Sequence, residues 1–267
     1  MSTAGSARWS AGLALAALGG VAGAAWFYLV AGAGPGTAMR GTGAAGVGMT
    51  AMAPNAHGWT PAYAALMLGV WAVMMTAMML PSSALAVLRV AGPAGRGSCD
   101  TSGSIGRAAC FIAGYLLIWA AFGAAATGLQ WALDAAHLLT DVMTLRNAAL
   151  AGLMVVAVGI YQFTPLKGAC LNRCRALDEC LGGGRPRGPL HTVGQGLRYG
   201  VSCLGCCAAL MGLLFVGGVM NVAWAAAIAA WVLGEKVLPW GSRFASLGGI
   251  TLIVGGTAAL AIALARG

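Results

Sequence analysis

Charge is the first thing this sequence lacks. Of its 267 residues only 8% are Asp, Glu, Lys or Arg, while 60% are hydrophobic. A soluble domain carries roughly 25% charged residues, so the scarcity excludes that class and points to an integral membrane protein whose first partner is the lipid bilayer. Histidine is as scarce. His57, His137 and His191 all fall in predicted loops, which argues against a haem held by an axial ligand within a span. No Ser-His-Asp arrangement, phosphate loop or zinc-protease motif is present to support a hydrolase. No internal repeat and no second folded domain is visible. The 8 Cys do not resemble the disulfide framework of a small secreted domain, and the first apolar run, about 11–33, is too long for a signal peptide and reads as a retained anchor. The formal charge of +9 invites a nucleic-acid partner, but the basic residues sit in short gaps between apolar runs and are not interleaved with aromatics. They read as topology signals, with no nucleic acid implied.

What is there is a series of apolar runs: 11–31, 62–88, 108–129, 147–163, 197–216, 219–236 and 246–265. Their lengths predict an all-α, polytopic transmembrane bundle of about seven spans, one integral-membrane domain over 1–267. Gly217-Gly218 leaves open whether the sixth run is a separate helix or part of a kinked one. With the N-terminus in the cytoplasm, every Lys and Arg falls inside except Arg40, Arg146 and Arg266. That bias predicts a multi-pass protein of the inner (plasma) membrane with this orientation. Residues 32–61, rich in Gly and carrying Met39, Met49, Met52 and His57, read as a flexible external loop. Residues 164–198 read as a basic cytoplasmic loop. Asp134, His137 and Asp141 read as an ordinary solvated loop.

Sulfur supplies the chemistry. On a helix Cys203 and Cys207 stack one above the other, Cys206 lies beside them, and Met211 extends the column by a turn. Met74 and Met78 form a similar i,i+4 pair, as do Met75 and Met79. Thiolate and thioether ligands select Cu(I), zinc or iron-sulfur chemistry over hard cations, so a metal ion is the first partner to consider, copper foremost, with zinc or iron as alternatives. Buried Cys and Met are also ordinary packing residues. Helix lengths place Met74 and Met78 at the same membrane depth as the Cys column, together with Gln162, Lys167 and Glu235; Cys170 and Cys174 follow in the basic loop, spaced i,i+4 for one helical face or a loop chelate. An ionisable Glu235 near a span is costly unless paired, hydrated or functional; beside Lys236 it can also snorkel to the surface.

The stretch from Trp71 to Ser82 with its Ala-Met-Met-Leu-Pro core, the Tyr161 to Lys167 stretch followed by Cys170-Leu171 and Cys174-Arg175, the Cys203-Leu-Gly-Cys206-Cys207 run to Met211, and Met220-Asn221 followed by Glu235-Lys236 together resemble a bacterial domain-of-unknown-function family described as predicted metal-binding integral membrane proteins. The resemblance covers most of residues 60–240; Ala208 stands where that family has an aromatic residue. It implies a helical membrane protein with a metal site and supplies no reaction. The leading expectation is a copper-handling protein that holds or delivers Cu(I) through Cys203, Cys206, Cys207, Met74, Met78 and Met211. Glu235 compensates charge, and Lys167 favours a nearby thiolate. The alternatives are a thiol or metal redox enzyme, or an accessory subunit of one, and a structural partner of another membrane protein.

Overall fold

The computed structural model describes residues 16, 18–29, 59–91, 101–140, 143–180, 188–219 and 221–266, excluding the side chains of 101–104 and 177–180. The expected external loop lies outside the described residues except for its last three, as do Asp141 and Met220. The described chain is helical: α1 (Leu18–Leu29), α2 (Pro61–Met79), a 3-10 turn (Pro81–Ser83), α3 (Ala84–Ala91), α4 (Thr101–Ala135), α5 (Ala148–Tyr161), α6 (Pro165–Cys180), α7 (Pro189–Gly212), α8 (Leu214–Gly217), α9 (Val222–Val237) and α10 (Gly241–Arg266). The only β pairing among the described residues is an isolated bridge, Leu139 to Leu145.

Local chemistry sets the boundaries. Thr60 caps α2 by accepting from the Tyr63 amide at 3.2 Å, with Pro61 in the first turn, where a missing N–H costs nothing. Asn147 caps α5 through the amides of Ala149 and Leu150, and Asn221 caps α9 through that of Trp224. Pro81 ends α2, because proline has no amide for the helical ladder. The run 62–88 is therefore not one helix but α2, a 3-10 turn and α3. Gly218, at φ 96°, makes the turn that separates α8 from α9, a conformation glycine adopts freely. Residues 164–198 are a loop only in part: Pro165 starts α6 and Pro189 starts α7, each at a first-turn position that suits proline.

Four helical stretches are long and apolar enough to cross a membrane: Pro61–Met79, Ile105–Ala135, Pro189–Gly217 and Gly241–Arg266. The pair Ala148–Tyr161 and Pro165–Ala176, bent by 60°, makes a fifth if it counts as one broken span. α1, within the run 11–31, and α9, with 16 residues, are shorter than a full span.

The bundle is built on two close helix pairs, α4 with α7 and α5 with α10. Both use glycine where backbones meet, as membrane helices commonly do. A Cβ on Gly196 of α7 would overlap the carbonyl oxygen of Phe111 in α4, and one on Gly256 of α10 would lie 2.9 Å from the Val156 amide in α5. Gly196→Ala is expected to lower unfolding stability by about 1–3 kcal/mol through overpacking. Gly194→Ala, with nothing within 4 Å of the new methyl, should be neutral or slightly stabilising. Thermal unfolding of the two variants in detergent separates them; equal midpoints would contradict the close approach.

Candidate metal centre

Helical periodicity gives Cys203, Cys206 and Cys207 one face of α7, and that face is buried, with Cys203 and Cys207 at 0% exposure. Cys174, buried at 1% exposure, reaches the same place from α6 as a neighbour of Cys203 and Cys206. Four thiols from two helices thus meet around Cys203. The α6–α7 approach depends on Gly205: a Cβ there would lie 2.5 Å from the Cys170 sulfur, and the Tyr161 hydroxyl donates to the Gly205 carbonyl at 2.5 Å.

The broken end of α2 completes the surroundings. Pro81 leaves the last carbonyls of α2 without helical partners, and side chains satisfy them. The Tyr115 hydroxyl from α4 donates to the Met79 carbonyl at 3.0 Å, and Ser82 donates to the same oxygen at 2.9 Å. Tyr115 Oη also lies 3.3 Å from Cys203 Sγ. Met79 presents its thioether 4.0 Å from Cys207 Sγ.

The charged residues sort themselves in a way the sequence does not reveal. Lys167 donates to both carboxylate oxygens of Glu235, at 2.9 and 2.7 Å, and Trp231 Nε1 adds a third bond at 3.0 Å. Lys167 and Glu235 therefore neutralise each other, and the roles expected for them at the thiols pass elsewhere. Lys236 is the cation at the sulfur: its ammonium lies 2.8 Å from Cys203 Sγ and 3.0 Å from Ser82 Oγ, above the Tyr199 ring. It does not snorkel to the surface. Removing one partner of a buried ion pair leaves an uncompensated charge. Lys167→Met should therefore cost about 3–5 kcal/mol of stability, and the added Glu235→Gln change should restore most of it. Denaturant unfolding measures both; a single variant as stable as wild type would show that the pair contributes nothing.

Of the remaining candidates, Met74, Met78 and Met211 are buried in the core at 2, 1 and 0% exposure. The thioether beside a thiol is instead that of Met79. Cys170 packs over Gly205. Gln162 is buried between α5 and α10, with no hydrogen-bond partner for either amide atom. Sequence reasoning gave Cys174 a supporting place and missed Met79, Tyr115, Ser82 and Lys236. The stripe Met75–Met79 and the Cys170–Cys174 spacing were available signals; for Tyr115 there was none.

The donor set is soft throughout, four thiols and a thioether, and matches a monovalent soft ion better than a hard one. Among the described residues no three Cys, His, Asp or Glu side chains already enclose an ion position. The thiols of Cys206 and Cys207 turn back to donate to the Cys203 carbonyl at 3.0 and 2.8 Å. A family model described as PpoB2, copper chaperone, matches residues 68–259. No curated protein and no solved structure matches the chain.

Proposed function

The chain belongs to the PpoB2 copper chaperone family, and from that premise we propose that it is a membrane-embedded protein that holds Cu(I) at Cys174, Cys203, Cys206 and Cys207 and passes it on to a partner. The observation that carries this reading is the convergence of four thiols, a thioether and one ammonium in a buried cluster where α2, α4, α6, α7 and α9 meet. Copper is the cargo. Thiolates supply tight binding, and the adjacent Met79 thioether, neutral and weaker, supplies a path for exchange.

A bilayer around the bundle is supported by its outer surface, where Leu153, Ile160, Leu247, Ile250, Val254 and Leu264 on α5 and α10 expose large apolar side chains. In water such a belt would be an aggregation hazard; in lipid it is the expected surface. The charge bias of the apolar-run topology supports a cytoplasmic N-terminus in an inner (plasma) membrane.

The test is the metal content of detergent-purified protein, wild type beside a Cys203/Cys206/Cys207 triple Ser variant, after growth with copper, zinc and iron. Copper in the wild type that is lost in the variant supports the reading. Equal copper in both, or zinc or iron in its place, would overturn it. A second reading, thiol redox chemistry, draws on the ammonium beside Cys203, since a cation at a sulfur favours the nucleophilic thiolate. Thiol trapping separates the two: a redox pair changes its alkylation with electron donors, a copper holder only when copper is chelated.

A further inference from the structure

A second sulfur cluster lies at the opposite end of α2. Met67, Met74 and Met78 fall on one stripe of that helix, spaced i, i+7 and i+11, and none exceeds 2% exposure. The last of them is next to Met79, the thioether at the thiols. Met67 is 12 residues before Met79, roughly 18 Å away at 1.5 Å per residue.

At that far end Gln130 of α4, 2% exposed, points its amide nitrogen at two sulfurs, Met143 Sδ at 3.1 Å and Met67 Sδ at 3.4 Å. Its oxygen accepts from Trp71 Nε1 at 3.0 Å. Thioethers are weak acceptors, so a buried amide that spends its donors on two of them is poorly served by this arrangement. Met143 is also held at φ 57°, in the left-handed region that non-glycine residues seldom occupy. The loop enforces it: Met143 N donates to the Thr140 carbonyl at 2.9 Å, Thr140 N to the Thr144 carbonyl at 2.8 Å, and Leu145 N docks the loop on the Phe215 carbonyl at 2.9 Å. Such strain persists where the surroundings over-determine it, commonly at binding sites. Its effect here is to bury the Met143 thioether, at 1% exposure, against the same amide that Met67 meets.

We propose that Met67 and Met143 form a second site for a soft monovalent cation, entered as the Gln130 amide nitrogen swings away from their sulfurs, where Cu(I) is taken up or released at the end of the bundle away from the thiols. This deepens the copper-handling reading and rests on it. The two sites differ in kind. Thioethers are neutral and bind without releasing a proton, whereas a thiol loses its proton as copper binds. Copper moves between them as Cu(I), with no change of oxidation state, and each thiol still protonated when it becomes a ligand gives up its proton. The thioether site is the weaker and the thiol cluster the stronger, so transfer towards the thiols runs downhill.

The test is titration of the full-length protein in detergent with Cu(I), under reductant and in competition with a colorimetric Cu(I) chelator. Wild type should take up a tight and a weaker equivalent. The Met67→Leu, Met143→Leu double variant, close in volume, should lose the weaker equivalent and keep the tight one, whose retention shows that the bundle is folded. Two equivalents in the double variant, or loss of both, would overturn the proposal. A wild type with only the tight equivalent overturns it while leaving the copper reading intact; a wild type with none refutes both.

Discussion

Cys203→Ser lowers the affinity for Cu(I) by roughly 10²–10³-fold. Structural zinc held by four protein ligands binds with about 10–16 kcal/mol; taking that as the scale, one quarter, about 2.5–4 kcal/mol, converts to this factor at 1.4 kcal/mol per tenfold. Cys203 should be the most damaging single change because the others are arranged around it. Cys174 and Cys206 are within reach of its sulfur, Lys236 and Tyr115 contact that sulfur, and the thiols of Cys206 and Cys207 donate to its carbonyl. Serine keeps the helix and the volume and removes only the soft donor. Cys110→Ser is the control: Cys110 lies on α4, half-buried, outside the group, and its loss should leave affinity unchanged. Chelator competition measures both variants, and equal affinities would contradict the place given to Cys203.

Lys236→Met should weaken Cu(I) binding by roughly 10²-fold or more while leaving the metal-free protein close to its wild-type stability. Charge decides the sign. With two of the four thiols deprotonated on Cu(I) and the other two keeping their protons, the site carries one net negative charge, and the Lys236 ammonium 2.8 Å from Cys203 Sγ cancels it. Without that cation the copper–thiolate unit is a lone buried charge, for which breaking a buried pair suggests a cost of about 3–5 kcal/mol. The metal-free protein escapes most of this, because a thiol can keep its proton and stay neutral. Lys236→Arg keeps the charge and should recover part of the affinity. The comparison of copper affinity with thermal stability across Met and Arg variants is decisive: a parallel loss of both would reduce Lys236 to a structural residue.

Periodicity alone was enough to read the face of α7 that carries Cys203, Cys206 and Cys207, because i,i+4 spacing fixes which side chains stack whatever the helix packs against. It could not say which stripe of α2 meets that face. Met74–Met78 and Met75–Met79 lie about 100° apart around the helix, and only packing decides that Met79 reaches Cys207. The same limit applies to Lys167 and Lys236. Both stand near Glu235 in plausible depth, yet Glu235 points from α9 towards α6 and takes Lys167, while the next residue along α9 turns its ammonium to Cys203. Pro81 was there to read in the sequence, but its consequence was not: the Met79 carbonyl at the broken helix end is the one that holds both Tyr115 and Ser82 beside the sulfur. Apolar run lengths found the long helices, whereas α9, with two charges at its end and only 16 residues, belongs to the site by contact and not by length.

X-ray absorption at the copper edge of the Cu(I)-loaded, full-length protein asks most directly whether buried sulfur is what holds the ion. The expected spectrum is that of Cu(I) with sulfur as its neighbours, and Cys203→Ser should reduce the sulfur contribution at the tight site. Nitrogen- or oxygen-dominated scattering in the wild type, or a spectrum unchanged by Cys203→Ser, would contradict the assignment of copper to the thiol cluster.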